Sequence, residues 1–136
     1  MTTPHTRDSW QALADGLRIR TQAFIDGRHV DAAIGKSFDC ISPIDGRVLG
    51  RVAECEGEDI ERAVLAARRS FEAGIWANTK PTHRKKILIK FAQLIEQYGD
   101  ELAVLESMDM GKPVSDARSV DVGATIRCMA WTGEAL

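Results

Sequence analysis

"AFIDGRHV", residues 23–30, decides how the chain is read. Asp26-Gly27 stands between two short runs of strand-forming residues, Ala23-Phe24-Ile25 and Arg28-His29-Val30. A two-residue hairpin turn needs positive φ at its central positions, and Asp-Gly supplies them at little cost. A tight antiparallel hairpin is expected here. Further along, "SFDCISPIDGRVLGRVAEC", residues 37–55, repeats the device. Phe38, Cys40 and Ser42 would share one strand face, because alternate side chains point the same way. Pro43 and Asp45-Gly46 turn the chain, and Val48, Gly50 and Val52 alternate on the return. Two hairpins this close predict a small antiparallel sheet whose outer edges need a cover or a partner.

Outside the hairpins the period is helical. Toward the amino terminus, residues 8–20 place Trp10, Leu13, Leu17 and Ile19 near helical spacing. From Glu58 onward, Ile60, Val64, Ala67 and Phe71 make one stripe, with Gly74 as a stop. Thr82 suits the N-cap of a second helix, lined by Ile87, Leu88, Phe91, Leu94 and Ile95. Gly99-Asp100 opens a third, with Leu102, Leu105 and Met108 inward. Pro113 and Ser115 announce a fourth, with Ala117, Val120, Ala124, Cys128 and Trp131 in register. Its apolar pattern continues to Leu136 without a glycine cap or a polar tail. The chain is therefore expected to be a piece of a longer protein.

"LESMDMGKP", residues 105–113, joins the third helix to the fourth. Gly111 suits a left-handed helix end, Lys112 the negative end of the helix dipole, and Pro113 the start of the next helix. Asp109 is slightly misplaced, since an acid near a helix C-terminus costs about 0.3–1 kcal/mol. That cost invites a compensating cation. A plain surface or capping carboxylate is the alternative.

Composition narrows the function classes. The 136 residues are 44% hydrophobic and 28% charged, with a formal net charge of −2, which is ordinary globular composition. No global field draws such a chain to nucleic acid or to an acidic membrane. The basic cluster His83-Arg84-Lys85-Lys86, with Arg68-Arg69, reads as a solvated face rather than an anion site. The longest apolar run, residues 63–67, can neither span a bilayer nor form a signal-peptide core, so a cytoplasmic location is expected. Cys40, Cys55 and Cys128 are too far apart for a zinc knuckle or a CxxC pair, and read as reduced, mostly buried thiols. His5, His29 and His83 stand alone in the sequence, as solvated or hydrogen-bonding residues. No phosphate-cradling glycine loop, zinc motif or nucleophile elbow is present.

Taken in order, "AFIDGRHVDA", "FDCISPIDGRVLGRVAE", "DIERAVLAARRSFEAGIWA" and "RKKILIKFAQLIEQYGDELAVLESMDMGKP" resemble the amino-terminal part of an aldehyde dehydrogenase. The likeness covers residues 22–136, after a helical lead-in at 1–21. The lead-in "WQALADGLRIRTQAFIDG" is further similar to the bacterial γ-glutamyl-γ-aminobutyraldehyde dehydrogenase branch. The resemblance implies an α/β fold. Residues 22–136 would be two β-hairpins followed by about four helices, an incomplete part of the NAD(P)-binding domain.

The complete enzyme would be a cytoplasmic homo-oligomer that oxidises an aldehyde to a carboxylic acid with NAD or NADP. Neither nucleic acid nor membrane is an expected partner. The resemblance also implies a structural Na+ or K+, with the Asp109 carboxylate and main-chain oxygens of Cys40 and Ile41 among its ligands. Oxygen suits such hard cations, and the Cys40 thiol does not. The family's nucleophilic cysteine, oxyanion-binding asparagine and water-activating glutamate lie downstream. No catalytic or cofactor-binding residue is therefore carried onto this chain, which is expected to be inactive alone and to bind no NAD(P). Two other readings are a non-catalytic docking module, seated on a full-length partner through its open sheet edge and apolar helix face, and a small independent α+β domain.

Overall fold

The computed structural model describes residues 5–136. In chain order the elements are helix α1 (Arg7–Gly16), strands β1 (Ala23–Ile25), β2 (Arg28–Val30), β3 (Ser37–Ile41) and β4 (Val48–Ala53), then helices α2 (Gly57–Glu72), α3 (Pro81–Gln97), α4 (Gly99–Met110) and α5 (Val114–Asp116), a π-helical segment (Ala117–Val122), and α6 (Gly123–Glu134). They group into two compact units. One holds the amino-terminal segment to Ile19, the turn Ser42–Gly46 and Pro81–Leu136; the other holds Arg20–Ile41 and Arg47–Lys80.

The second unit contains both hairpins. Strands β1 and β2 pair antiparallel across Asp26-Gly27, whose φ values of 53° and 75° are those the Asp-Gly turn requires. Strands β3 and β4 also pair antiparallel, with Asp39 opposite Arg51, and the register shifts between Cys40 and Ile41. The two hairpins form separate two-stranded sheets rather than one. Helix α2 follows, opening on a reciprocal box. The Glu56 side chain accepts from the Asp59 backbone N–H, and Asp59 accepts from the Glu56 backbone N–H.

The apolar stripe read on α2 is real as a pattern but is not buried in this unit. Ile60, Val64 and Phe71 are exposed, Phe71 at 74%. Asp59 is the buried residue of the helix, with Ala63 and Ala66 half-buried. Periodicity places residues on one face, but it does not say which face finds a partner.

In the first unit, α3 packs against α6, and α4 against the π segment and α1. The core is built from small side chains: Ala103, Ala117 and Val122, with Ile95, Val114 and Ile126 packed around them. Three expectations are corrected. Helix α1 ends at Gly16, and Leu17 is already extended at ψ 135°. Helix α3 begins at Pro81, so Thr82 lies inside its first turn rather than at its cap; a proline there loses no helical hydrogen bond and brings a φ suited to the helix. The third correction is one of register. The last helix was expected to bury Ala117, Val120, Ala124, Cys128 and Trp131. Only Ala117 is buried; Val120 is 55% and Trp131 72% exposed, and Ala124 and Cys128 face out as well.

The π segment is the cause. A π turn carries an extra residue, so the inward face steps from Ala117 to Val122 and not to position 120 or 121. Beyond it, Val122, Ile126, Met129 and Gly133 follow α-helical spacing on the inner face. On α4 the inward residues are Ala103 and Val104, with Leu105 and Met108 half-buried and Leu102 on the exposed side.

Candidate functional site at the helix stop

Two sequence devices meet in the first unit. Helix α4 ends where Gly111 takes φ 73°, ψ 13° and donates its N–H to Ser107 O at 2.9 Å. This is the left-handed helix end expected of the glycine. The turn Ser42–Gly46 lies against it. Ser42 is buried, its hydroxyl accepts the Ile44 N–H at 3.2 Å, and the Gly46 N–H returns to Ser42 O at 2.9 Å. The closed turn presents Pro43 to Gly111.

Side chains from three elements fix the chain after the stop. Ser107 Oγ donates to the Lys112 carbonyl at 2.6 Å, tying α4 to the residue beyond its cap. The Lys112 ammonium reaches back to the Asp121 carboxylate on the π segment. That carboxylate first, then the charges of Asp116 and Glu106, hold the ammonium above the usual lysine range against a smaller opposing effect of desolvation. Arg118 Nε, also on the π segment, donates to Asp100 Oδ1 at 2.6 Å at the opening of α4. His5 Nε2 lies 2.9 Å from Asp100 Oδ2. The Arg118 guanidinium, and then His5, hold the Asp100 carboxyl below its ordinary value although partial burial pushes the other way.

The candidate cation ligands are distributed between the units. Asp109 is exposed in the last turn of α4, within the first unit. Cys40 and Ile41 are consecutive at the end of β3, in the second unit, where the strand register shifts. Among the described residues there is no cluster of three His, Cys, Asp or Glu side chains suited to a metal ion. Cys40 and Cys55 are half-buried, but Cys128 is exposed, contrary to the expectation of mostly buried thiols.

Three residues of the basic cluster have acidic partners. Arg69 pairs with Asp26 at 2.8 Å, Arg68 with Glu72 at 3.9 Å, and Lys85 with Glu134. Chemically, the helix stop is an anchor. Lys112 is matched to Asp121 and Arg118 to Asp100.

Asp59 was not singled out from the sequence. It is 1% exposed, and both carboxylate oxygens accept the Ala33 N–H, each at 3.1 Å, binding the loop after β2 to the start of α2. The local signal was available in the three-residue spacing of Glu56 and Asp59, though the cap is an acid rather than Ser or Thr. The Lys112–Asp121 and Asp100–Arg118 pairs had no such signal, since spacings of nine and eighteen match no helical neighbour rule.

Residues 29–136 match the aldehyde dehydrogenase family. Among curated proteins, aminoacetaldehyde dehydrogenase of Pseudomonas aeruginosa is 40% identical over 134 residues, which is 98% of this chain and 27% of that protein. The crystal structure of an indole-3-acetaldehyde dehydrogenase complexed with NAD+ superposes with a TM-score of 0.94 at 48% identity, covering 97% of this chain and 27% of the other. That of a γ-glutamyl-γ-aminobutyraldehyde dehydrogenase from Burkholderia cenocepacia superposes at 0.91, also with 48% identity, covering 94% and 26%. The chain thus spans about a quarter of the length of these relatives.

Proposed function

The chain belongs to the aldehyde dehydrogenase family, and from that premise we propose that the complete protein oxidises an aldehyde to a carboxylic acid. NAD+ or NADP+, when bound, would accept the hydride. The observation that carries the proposal is the likeness across nearly the whole chain to a family member crystallised with NAD+. The thiols of Cys55 and Cys128 fit the reducing cytoplasm in which we place the enzyme. No helix among the described residues is long and apolar enough to cross a membrane. We further propose that the complete enzyme is a homo-oligomer.

Within that enzyme this chain's contribution is architectural. The Ser107, Lys112 and Asp121 contacts hold the helix stop, and Asp59 holds the second hairpin unit on α2. Neither device moves a proton or contacts a reacting carbon. None of Cys40, Cys55 and Cys128 is assigned as the nucleophile. The Asp109 carboxylate is kept as a proposed ligand of Na+ or K+ in the complete enzyme, on its donor chemistry alone.

The test is to express the reading frame that contains these residues together with its adjoining coding sequence. NADH and NADPH formation is then followed at 340 nm over a panel of aliphatic, amino- and aryl aldehydes. Reduced cofactor formed in step with carboxylic acid supports the proposal, and the chain of 136 residues alone should form none. A complete protein that binds neither cofactor and turns over no aldehyde overturns it. No observation favours the docking-module reading over this one.

A further inference from the structure

The inner face of the chain beyond Pro113 keeps helical spacing except at one step. Val114, Ala117, Val122, Ile126, Met129 and Gly133 face inward, and all neighbours in that series but Ala117 and Val122 are three or four residues apart. Ala117 is fully buried and Val122 is 6% exposed, five residues on. In an unbroken α-helix the residue sharing the Ala117 face would be the fourth one on. That residue is Asp121, whose carboxylate would then enter the core of Ala103, Ala117 and Val122. An ionised carboxylate placed there without a partner is strongly disfavoured. The wider turn puts Val122 in its place and leaves Asp121 half-exposed, paired with Lys112.

We propose that the π segment is a one-residue insertion in an otherwise regular helix, and that its product is the Asp121–Lys112 bond. Asp121 is thereby a positioning residue for the chain that follows the helix stop. The entry to the segment is fixed without it. Ala117 is packed in the core, and Arg118 reaches Asp100 across Gly99, where a Cβ would meet Arg118 Cζ at 2.9 Å. The exit is fixed as well. Val122 and Ile126 belong to the core cluster, and Gly133 lies against Leu88 and Ile89 of α3. Two hydroxyls act on the same stretch. Ser119 Oγ donates to Ser115 O and Thr125 Oγ1 to Asp121 O, each at 2.8 Å. Hydroxyl bonds to the carbonyl four residues back loosen the α ladder where they form. Deleting Asp121 would bring Val122 to the fourth position after Ala117, and an ordinary α-helix would then hold the same core.

The test compares deletion of Asp121, Asp121→Asn and deletion of Thr125 in the full chain. Amide hydrogen exchange is read over residues 111–116 and over α6, and Cys128 alkylation by iodoacetamide is followed by mass spectrometry. Deletion of Asp121 should leave the protection of α6 and the alkylation of Cys128 unchanged. Exchange over residues 111–116 should rise about two- to fivefold, as expected for the loss of one partly exposed ion pair. Asp121→Asn should loosen residues 111–116 in the same way with α6 unaltered. Deletion of Thr125 lies in the regular helix. It should turn Met129 and Gly133 off the inner face and abolish the protection of α6. A deletion of Asp121 that fails to fold, or that strips α6 of protection, overturns the insertion. Equal tolerance of the two deletions overturns it too. Unchanged exchange over residues 111–116 in both Asp121 variants overturns the positioning role.

Discussion

Pro43 sits directly on Gly111. A Cβ built on Gly111 would meet Pro43 Cγ at 3.1 Å, at a residue whose φ is already 73°. The glycine therefore answers two demands at once, a left-handed helix end and the close approach of the turn. Gly111→Ala should destabilise the chain by about 1–2 kcal/mol from the backbone term alone. Urea unfolding measures it. A loss below half a kcal/mol would mean that neither the left-handed backbone nor the Pro43 contact constrains this position.

Asp59 should be costly to remove. Asp59→Ala strips the Ala33 N–H of both its 3.1 Å contacts and the Glu56 N–H of its cap. These bonds are part-buried, so the loss should fall toward the lower end of the roughly 1–3 kcal/mol that an unsatisfied buried donor costs. Asp59→Asn keeps one acceptor oxygen and should lose less. Equal losses in the two variants, read by urea midpoint, would show that shape and not hydrogen bonding fixes this position.

The register of the last helix can be tested by a pair of truncations. Val122 is 6% exposed and Val120 is 55% exposed. Val122→Ala should cost about 1–3 kcal/mol as a core truncation. Val120→Ala should stay within about 0.5 kcal/mol. An unbroken α-helix would reverse that order, so the comparison reads the π segment directly.

Asp100 and Arg118 predict a limb in the acid stability profile. The carboxyl is held below 3.8 in the folded chain, chiefly by Arg118. A depressed carboxylate contributes stability that is fully present well above 3.8 and is lost as the pH falls through the lower folded value. The stability difference between wild type and Arg118→Gln should therefore be largest at neutral pH and shrink toward zero below that value. Thermal melts from about pH 2 to 7 test it. A difference that stays constant with pH would assign the Arg118 contribution to packing instead. The pair is partly solvent-exposed, so added salt should reduce the difference as well.

The open face of α2 makes a prediction about solubility. Val64 and Phe71 are exposed and line an apolar groove with Ala67 and Arg68. Val64→Lys should leave the unfolding midpoint of this chain nearly unchanged and lower its concentration-dependent light scattering. A large loss of stability would show that the face is buried in solution.

The sequence by itself determined the local structure and the family. Asp26-Gly27 and Gly111 could be read because a turn's φ angles are a property of the residues that make it. The helices could be read because their hydrogen bonds close within four residues. The four motif blocks together specified the family. The tertiary structure alone decided which faces were buried and which distant residues met. The stripe on α2 has the right period and no partner in its unit. The stripe on α6 was displaced because one extra residue in the π segment turned the helix, and no periodic pattern announces that insertion. Pro43 with Gly111, Lys112 with Asp121 and His5 with Asp100 are joined by packing, and a contact made across the fold leaves no spacing in the chain by which to recognise it.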